Sequence, residues 1–366
     1  MPDVGLLGIG TYLPPGVRGN DFWGQRIVDG FEERRKRDFL AIEQSASGQR
    51  NAIPSEIAEA MAALGHDPFF GAKKRHVLAD DAESSDMEAE AGRRAMRAAG
   101  VRPDEIDLVM VHSLTPDQLM PSNAPAVQAK CELTNAAAWS LDMSCSSFQG
   151  QLVTAAALIK SGVYKKILIV QSQAASRVID YQLPGSTALG DGAAAAVVGE
   201  VRSGGLVSHY LRTDGSLRNA VVFATMIDGR PERRWDKHSG PVCFSTFDTD
   251  VGKSAGLRST EFCRDACHGA LAAAGRTIDD VKLYIGNQSL GWLVDACRRA
   301  LGLPPERAID TFAEVANIGA VAILFNLQRA LEQRRLASCD LVLLYSPGAG
   351  FTRAALVYRL GEPLLE

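Results

Sequence analysis

The 366-residue chain lacks most of the features that mark a specialised scaffold. Its seven cysteines are an odd number, scattered from Cys131 to Cys339 without a CxxC pair, which argues against a disulfide framework and a zinc knuckle. No five like charges follow one another, and 39 Lys and Arg against 43 Asp and Glu leave a net charge of -4. A groove for polyanions would show as a basic stripe, so nucleic acid is not an expected partner. The mixed-charge run from Glu32 to Arg37 reads as a solvated helix face. No apolar run approaches the roughly 18 residues of a membrane span, and the amino terminus has no basic stretch followed by an apolar one. The expectation is a soluble, cytoplasmic protein with no membrane segment and no metal site.

What is present is ordinary globular composition, 46% hydrophobic and 22% charged. A single core usually stops growing before about 300 residues, so two halves are expected. Short runs rich in Val, Ile, Leu and Ala, at 4–9, 106–111, 167–171, 193–198, 281–285, 341–345 and 354–358, alternate with Ala-rich helical stretches. Strands apolar on both faces and separated by helices indicate an α/β protein with covered sheets. An internal repeat adds to this: residues 98–113, AAGVRPDEIDLVMVHS, align without a gap with 273–288, AAGRTIDDVKLYIGNQ. Each copy reads as a helix end with a Gly cap, a loop and a buried strand, and the alignment makes His112 and Asn287 equivalent strand ends. The expected lobes are 1–200 and 201–366. Residues 20–75, with Trp23, Phe31, Phe39, Phe69 and Phe70, are expected to form a helical insertion over the first lobe. Residues 225–252 read as a loop with a short strand, and both insertions suit the walls of a substrate passage.

The densest feature is 141–162, LDMSCSSFQGQLVTAAALIKSG. Small residues 144–147 suit a tight strand-to-helix turn, which places Cys145 at a helix amino terminus. Peptide dipoles and free N–H groups there favour the thiolate, the form that attacks thioesters. The Cys145 amide and the turn Gly348, Ala349 and Gly350 are candidate donors to the oxyanion, so the expected oxyanion hole is Cys145 with Ala349. Asn287 and Asn317 are the candidate polar groups near the sulfur.

With these residues in view the chain resembles ketoacyl synthase III of the thiolase superfamily. The resemblance runs through GIGTYLPP, FFGAKKRHVLADDAESSDM, PSNAPAVQAK, DMSCSSFQG, LGDGAAAAVV, TDGS, VKLYIGNQS, VANIGA and LLYSPGAGFT. It implies a five-layer αβαβα fold of two pseudo-repeated lobes, a homodimer, and two half-reactions through Cys145. An acyl group would come from coenzyme A or the phosphopantetheine arm of an acyl carrier protein and pass to a small-molecule acceptor, with no permanently bound cofactor. Asn317 falls where the family's catalytic Asn is expected, whereas Asn287 replaces the family's usual His. An Asn amide takes no proton, and general-base help is worth about 100 to 10,000-fold, so ordinary malonyl decarboxylation is in question. The favoured expectation is acyl transfer or an atypical Claisen-type condensation in specialised, polyketide or fatty-acid-derived metabolism. One alternative is an ordinary decarboxylative synthase with a displaced base, His112 first, then His238 or His268. Another is a non-catalytic ketosynthase-like partner. Phe69, Phe70, Lys74 and Arg75 are the candidate substrate-binding residues. The apolar strand at 167–171 is the segment expected to pair across the dimer axis.

Overall fold

The computed structural model describes residues 2–33, 36, 53–65, 67–234, 240 and 242–361. Two five-stranded sheets dominate it. The first contains β1 (Asp3–Tyr12), β2 (Leu108–Ser113), β3 (Ala137–Ser140), β4 (Ile167–Gln173) and β5 (Gly192–Val201), in the order β1-β5-β4-β2-β3. The second contains β6 (Gly205–Thr213), β7 (Val281–Gly286), β8 (Ala308–Ile309), β9 (Leu341–Gly348) and β10 (Thr352–Arg359), in the order β6-β10-β9-β7-β8. Adding five to every label of the first order gives the second. The pairings agree too: β4, β2 and β3, like β9, β7 and β8, pair parallel, and the other two pairings of each sheet are antiparallel.

Helices α1 (Ser55–Ala63), α2 (Ser84–Ala99), α3 (Ser147–Lys160), α4 (Ser259–Ala273), α5 (Leu293–Ala300) and α6 (Val321–Glu332) cover these sheets. A central core joins Leu108, Met110, Ile167 and Ile169 of the first sheet to Leu283, Ile285, Val342 and Leu344 of the second, through Phe148 and Leu152 of α3 and Ile323 and Leu324 of α6. Helices α3 and α6 therefore fill the middle layer. The outer face of the first sheet carries α2, through Met87, Ala91 and Ala95. That of the second carries α4 and α5, through Cys263, Cys267, Leu271 and Cys297. The result is the thiolase-like stack of five layers, α/β/α/β/α, with two apolar faces on each sheet.

The repeated segment is built as its pattern indicated. Helices α2 and α4 end at Gly100 and Gly275 with φ of 60° and 61°, left-handed positions that glycine occupies without a Cβ penalty. The opening GIG lets α2 lie directly on β1, because a side chain at Gly8 or Gly10 would run into the α2 backbone around Ala91 and Ala95.

Three expectations change. Helix α1 of the insertion lies against the second half, not over the first: Ile57 and Ala60 pack on Ala296, while Glu56 and Glu59 pair with Arg264 and Arg299. Its partners on α4 and α5 are basic, and charge complementarity was invisible in the hydrophobic pattern. Only the aromatic part stays with the first lobe, where Trp23, Phe31 and Phe69 form a small cluster with Tyr181; Phe39 lies outside the described residues. Region 225–252 contributes three short strands, Val222–Ile227, Arg230–Pro231 and Val242–Ser245, joined into a sheet of their own. Finally, β4 lies between β5 and β2 and is buried throughout, so it has no free edge to offer a second copy; the edge strands of that sheet are β1 and β3.

Candidate active site

Cys145 sits in a single 3-10 turn, Ser144–Ser146, directly ahead of α3. The turn is strained at Ser144, whose φ of 50° is left-handed for a residue with a Cβ, a conformation costing about 1 to 3 kcal/mol. Short polar side chains hold it. Asp142 Oδ1 accepts from Ser144 N at 2.7 Å; Ser147 Oγ accepts from Met143 N at 2.8 Å and donates to Ser144 O at 2.7 Å. The far lobe completes the clamp: Ser346 Oγ donates to Cys145 O at 2.7 Å, and Ser146 Oγ donates to Ser346 O at 2.9 Å. This approach is possible because residue 348 is glycine; a Cβ there would stand 2.6 Å from Met143 O.

The backbone N–H groups of Cys145 and of Ala349 face the sulfur, the pair expected as oxyanion donors. The thiolate expectation is corrected. Burial pushes the Cys145 thiol up to about 11, the two N–H groups offset this only in part, and the Asp142 carboxylate adds to it. Desolvation outweighs the helix terminus because, among the described residues, no cation acts on the sulfur, so the resting form at neutral pH is the thiol.

Asn287 follows β7 and Asn317 precedes α6. Asn287 N donates to Tyr345 O at 2.8 Å, one residue before the serine that holds Cys145, so β9 ties both residues to one place. Asn287 Nδ2 donates to Gly319 O at 2.8 Å, while Oδ1 is buried with no donor, which costs about 1 to 3 kcal/mol. Asn317 Oδ1 accepts from Gly319 N at 2.8 Å. Its backbone is fixed to the first lobe, N donating to Ala188 O at 2.8 Å and O accepting from Gln173 Nε2 at 2.8 Å. Both amides thus meet on Gly319, where φ is 61° and any Cβ would strike Gln173 Oε1. Gln288 supports them: Nε2 donates to Ala316 O at 2.8 Å and Oε1 accepts from Asn326 Nδ2 at 2.9 Å. Asp142, Gln173, Gln288 as a scaffold and Ser346 were missed in the sequence; the signal was a polar residue at the end of an apolar strand.

His112 is buried on β2 and places Nδ1 3.0 Å from Asp142 Oδ1. Its partnership holds the Asp142 carboxyl below the ordinary carboxylate range. His268 is exposed on α4, and His238 lies outside the described residues. Of the substrate-binding candidates, Arg75 is buried: Nε donates to Thr187 O at 2.7 Å and the guanidinium stacks on Trp23 and Phe69, with burial pulling its pKa down to about 10. Arg75 and Phe69 are therefore both engaged in packing. Phe70 is half-buried and Lys74 is exposed, beside a cavity of about 450 Å³ with Lys73, His76, Glu314 and Arg329 on its wall. Among the described residues no group of three or more His, Cys, Asp or Glu is placed to hold a metal ion, and no helix is long and apolar enough to cross a membrane.

The Cys145 turn and Asn317 lie within segments that match known sequence families. Residues 140–215 match the model of 3-oxoacyl-[acyl-carrier-protein] synthase III, and residues 271–360 match the model of its C-terminal part. The β-ketoacyl-[acyl-carrier-protein] synthase III of Hyphomonas neptunium is 31% identical over 79% of this chain and 88% of its own length. That of Geobacillus kaustophilus is 32% identical over 80% and 88%. The chain belongs to the 3-oxoacyl-[acyl-carrier-protein] synthase III family. The solved β-ketoacyl-[acyl-carrier-protein] synthase III of Thermus thermophilus superposes with a TM-score of 0.76, at 27% identity, covering 98% of this chain and 100% of its own. As a family member the chain is a ketosynthase III-like, acyl-transferring condensing enzyme.

Proposed function

We propose that this member loads an acyl group from a carrier-protein or coenzyme A thioester onto Cys145 and passes it to a second, small-molecule substrate. The transfer is direct or an atypical Claisen-type condensation, in specialised metabolism. The observation carrying this reading is the Cys145 sulfur facing two backbone N–H groups, its own and that of Ala349, where a thioester oxyanion would form. Attack joins Sγ to the acyl carbon and releases the pantetheine thiol, which takes up the proton that Cys145 loses. His112, paired with Asp142 next to the elbow, is the proposed carrier of that proton, and Asn317 the side-chain donor at the site. The supporting experiment is intact mass after exposure to acyl-pantetheine: one acyl increment, absent in Cys145→Ala, is expected, and equal loading of the variant would overturn the assignment. Such an increment would also exclude a non-catalytic partner.

The working unit is proposed to be a homodimer. We propose its interface at β3, an edge of the first sheet, where Trp139 is 38% exposed and an edge strand can pair with a second copy.

A further inference from the structure

The two amides at the site differ in polarity. Opposite Asn287 Nδ2 stands a carbonyl, Gly319 O, which only accepts hydrogen bonds, so the amide has a single orientation with Nδ2 toward Gly319 and Oδ1 turned from it. Oδ1 is sealed from solvent, and no donor reaches it among the described residues. Asn317 is the reverse: its Oδ1 is taken by Gly319 N, which leaves Nδ2 as the group it offers. Asn287, tied to the Cys145 turn through β9, therefore carries an unpaired acceptor, and Asn317, joined to it through Gly319, a side-chain donor. An enolate released from a malonyl thioester is an acceptor and needs converging donors, whereas an attacking amine or alcohol brings a hydrogen that needs an acceptor.

We propose that the second substrate attacks through a protic heteroatom, an N–H or O–H whose hydrogen is held by Asn287 Oδ1, and that the product is an amide or an ester. The proposal rests on Cys145 as acyl carrier. In the step the heteroatom bonds to the acyl carbon, the carbon–Sγ bond breaks, and the proton lost by the nucleophile ends on Sγ. Asn287 orients that hydrogen and takes no proton. A sulfur whose thiol form persists to about 11 is basic enough on departure to collect it.

The test uses the full chain loaded from octanoyl-pantetheine, with the adduct at Cys145 verified by intact mass before any acceptor is added. Absence of the adduct would end the acyl-carrier reading itself and is seen in this donor-only arm. Loaded enzyme is then divided among benzylamine, benzyl alcohol and malonyl-pantetheine, and loss of adduct and formation of product are followed together. Discharge at least tenfold faster to the amine or the alcohol than to malonyl-pantetheine is expected, and the two arms separate amide from ester formation. Faster discharge to malonyl-pantetheine with release of CO2 would overturn the proposal. Asn287→Leu, which keeps the bulk but neither accepts nor donates, should slow heteroatom transfer per loaded enzyme about 10-fold, and Asn287→His should shift the product ratio toward malonyl condensation. Unchanged transfer and product ratio in both variants would equally overturn it.

Discussion

At the residue scale the chemistry depends on how closely two turns approach. Cys145 is reached by Ala349 N only because Gly348 lets the β9 turn rest on the carbonyl of Met143. Gly348→Ala is expected to push that turn back by several tenths of an ångström and withdraw one oxyanion donor. Acyl loading should fall about 100-fold with the fold retained, since one such donor is worth about 100 to 1,000-fold. Stopped-flow loading with circular dichroism as the control checks this, and loading at the parent rate would remove Ala349 from the oxyanion hole. The thiol itself gives a pH prediction. With its pKa raised to about 11, the thiolate is the minority form at neutral pH and grows tenfold per pH unit below that value. Loading of the wild type should therefore climb with pH from 7 to 9 at constant fold. A plateau reached near pH 7 would mean that the thiol ionises well below that value.

At the element scale, helix α1 shows which contacts hold an insertion down. Ile57 is buried against Ala296, whereas Glu59 meets Arg299 at the surface with the carboxylate side chain 60% exposed. Truncating a buried branched side chain costs about 2 to 5 kcal/mol, and an exposed ion pair is worth about 0.2 to 1. Ile57→Ala should therefore release α1 to protease at about 53–65 far sooner than Glu59→Ala does. The reverse order would mean that charge, not burial, docks the helix. Aspartate and serine act at this scale as well. Asp191, deep beside the loop after β4, accepts from Leu78 N at 2.8 Å and Ser176 N at 2.9 Å and so ties the strand Arg75–Val77 region to that loop; burial raises its pKa despite these donors.

At the scale of the whole molecule, the two sheets share one strand order and stack around α3 and α6, so each lobe supplies half of the site. Cys145 comes from the start of α3, and Gly319 with Asn317 from the start of α6, its counterpart in the second half. The molecule also leaves β3 uncovered. If the proposed dimer forms, sedimentation should find it at micromolar concentration. Trp139→Lys on that edge should shift the equilibrium toward monomer. A wild-type monomer at micromolar concentration would contradict the dimer.

Much of this was written along the chain. Strand runs apolar on both faces, the 175-residue repeat with Gly100 and Gly275 at its caps, and the small-residue elbow around Cys145 are local patterns, and local patterns are set by backbone sterics and by which faces must leave water. The candidate site residues Cys145, Asn287, Asn317 and Ala349 were nominated in the same way. Their polarity was not. Whether Asn287 offers a donor or an acceptor depends on Gly319 O, whether the thiol ionises depends on how tightly the two lobes close over it, and where α1 docks depends on arginines more than 200 residues away. The same holds for Arg75, which looks like a surface cation in the run GAKKR and is instead stacked on Trp23 and Phe69. Hydrogen bonding and desolvation are properties of neighbours in space, and only the assembled fold chooses those neighbours.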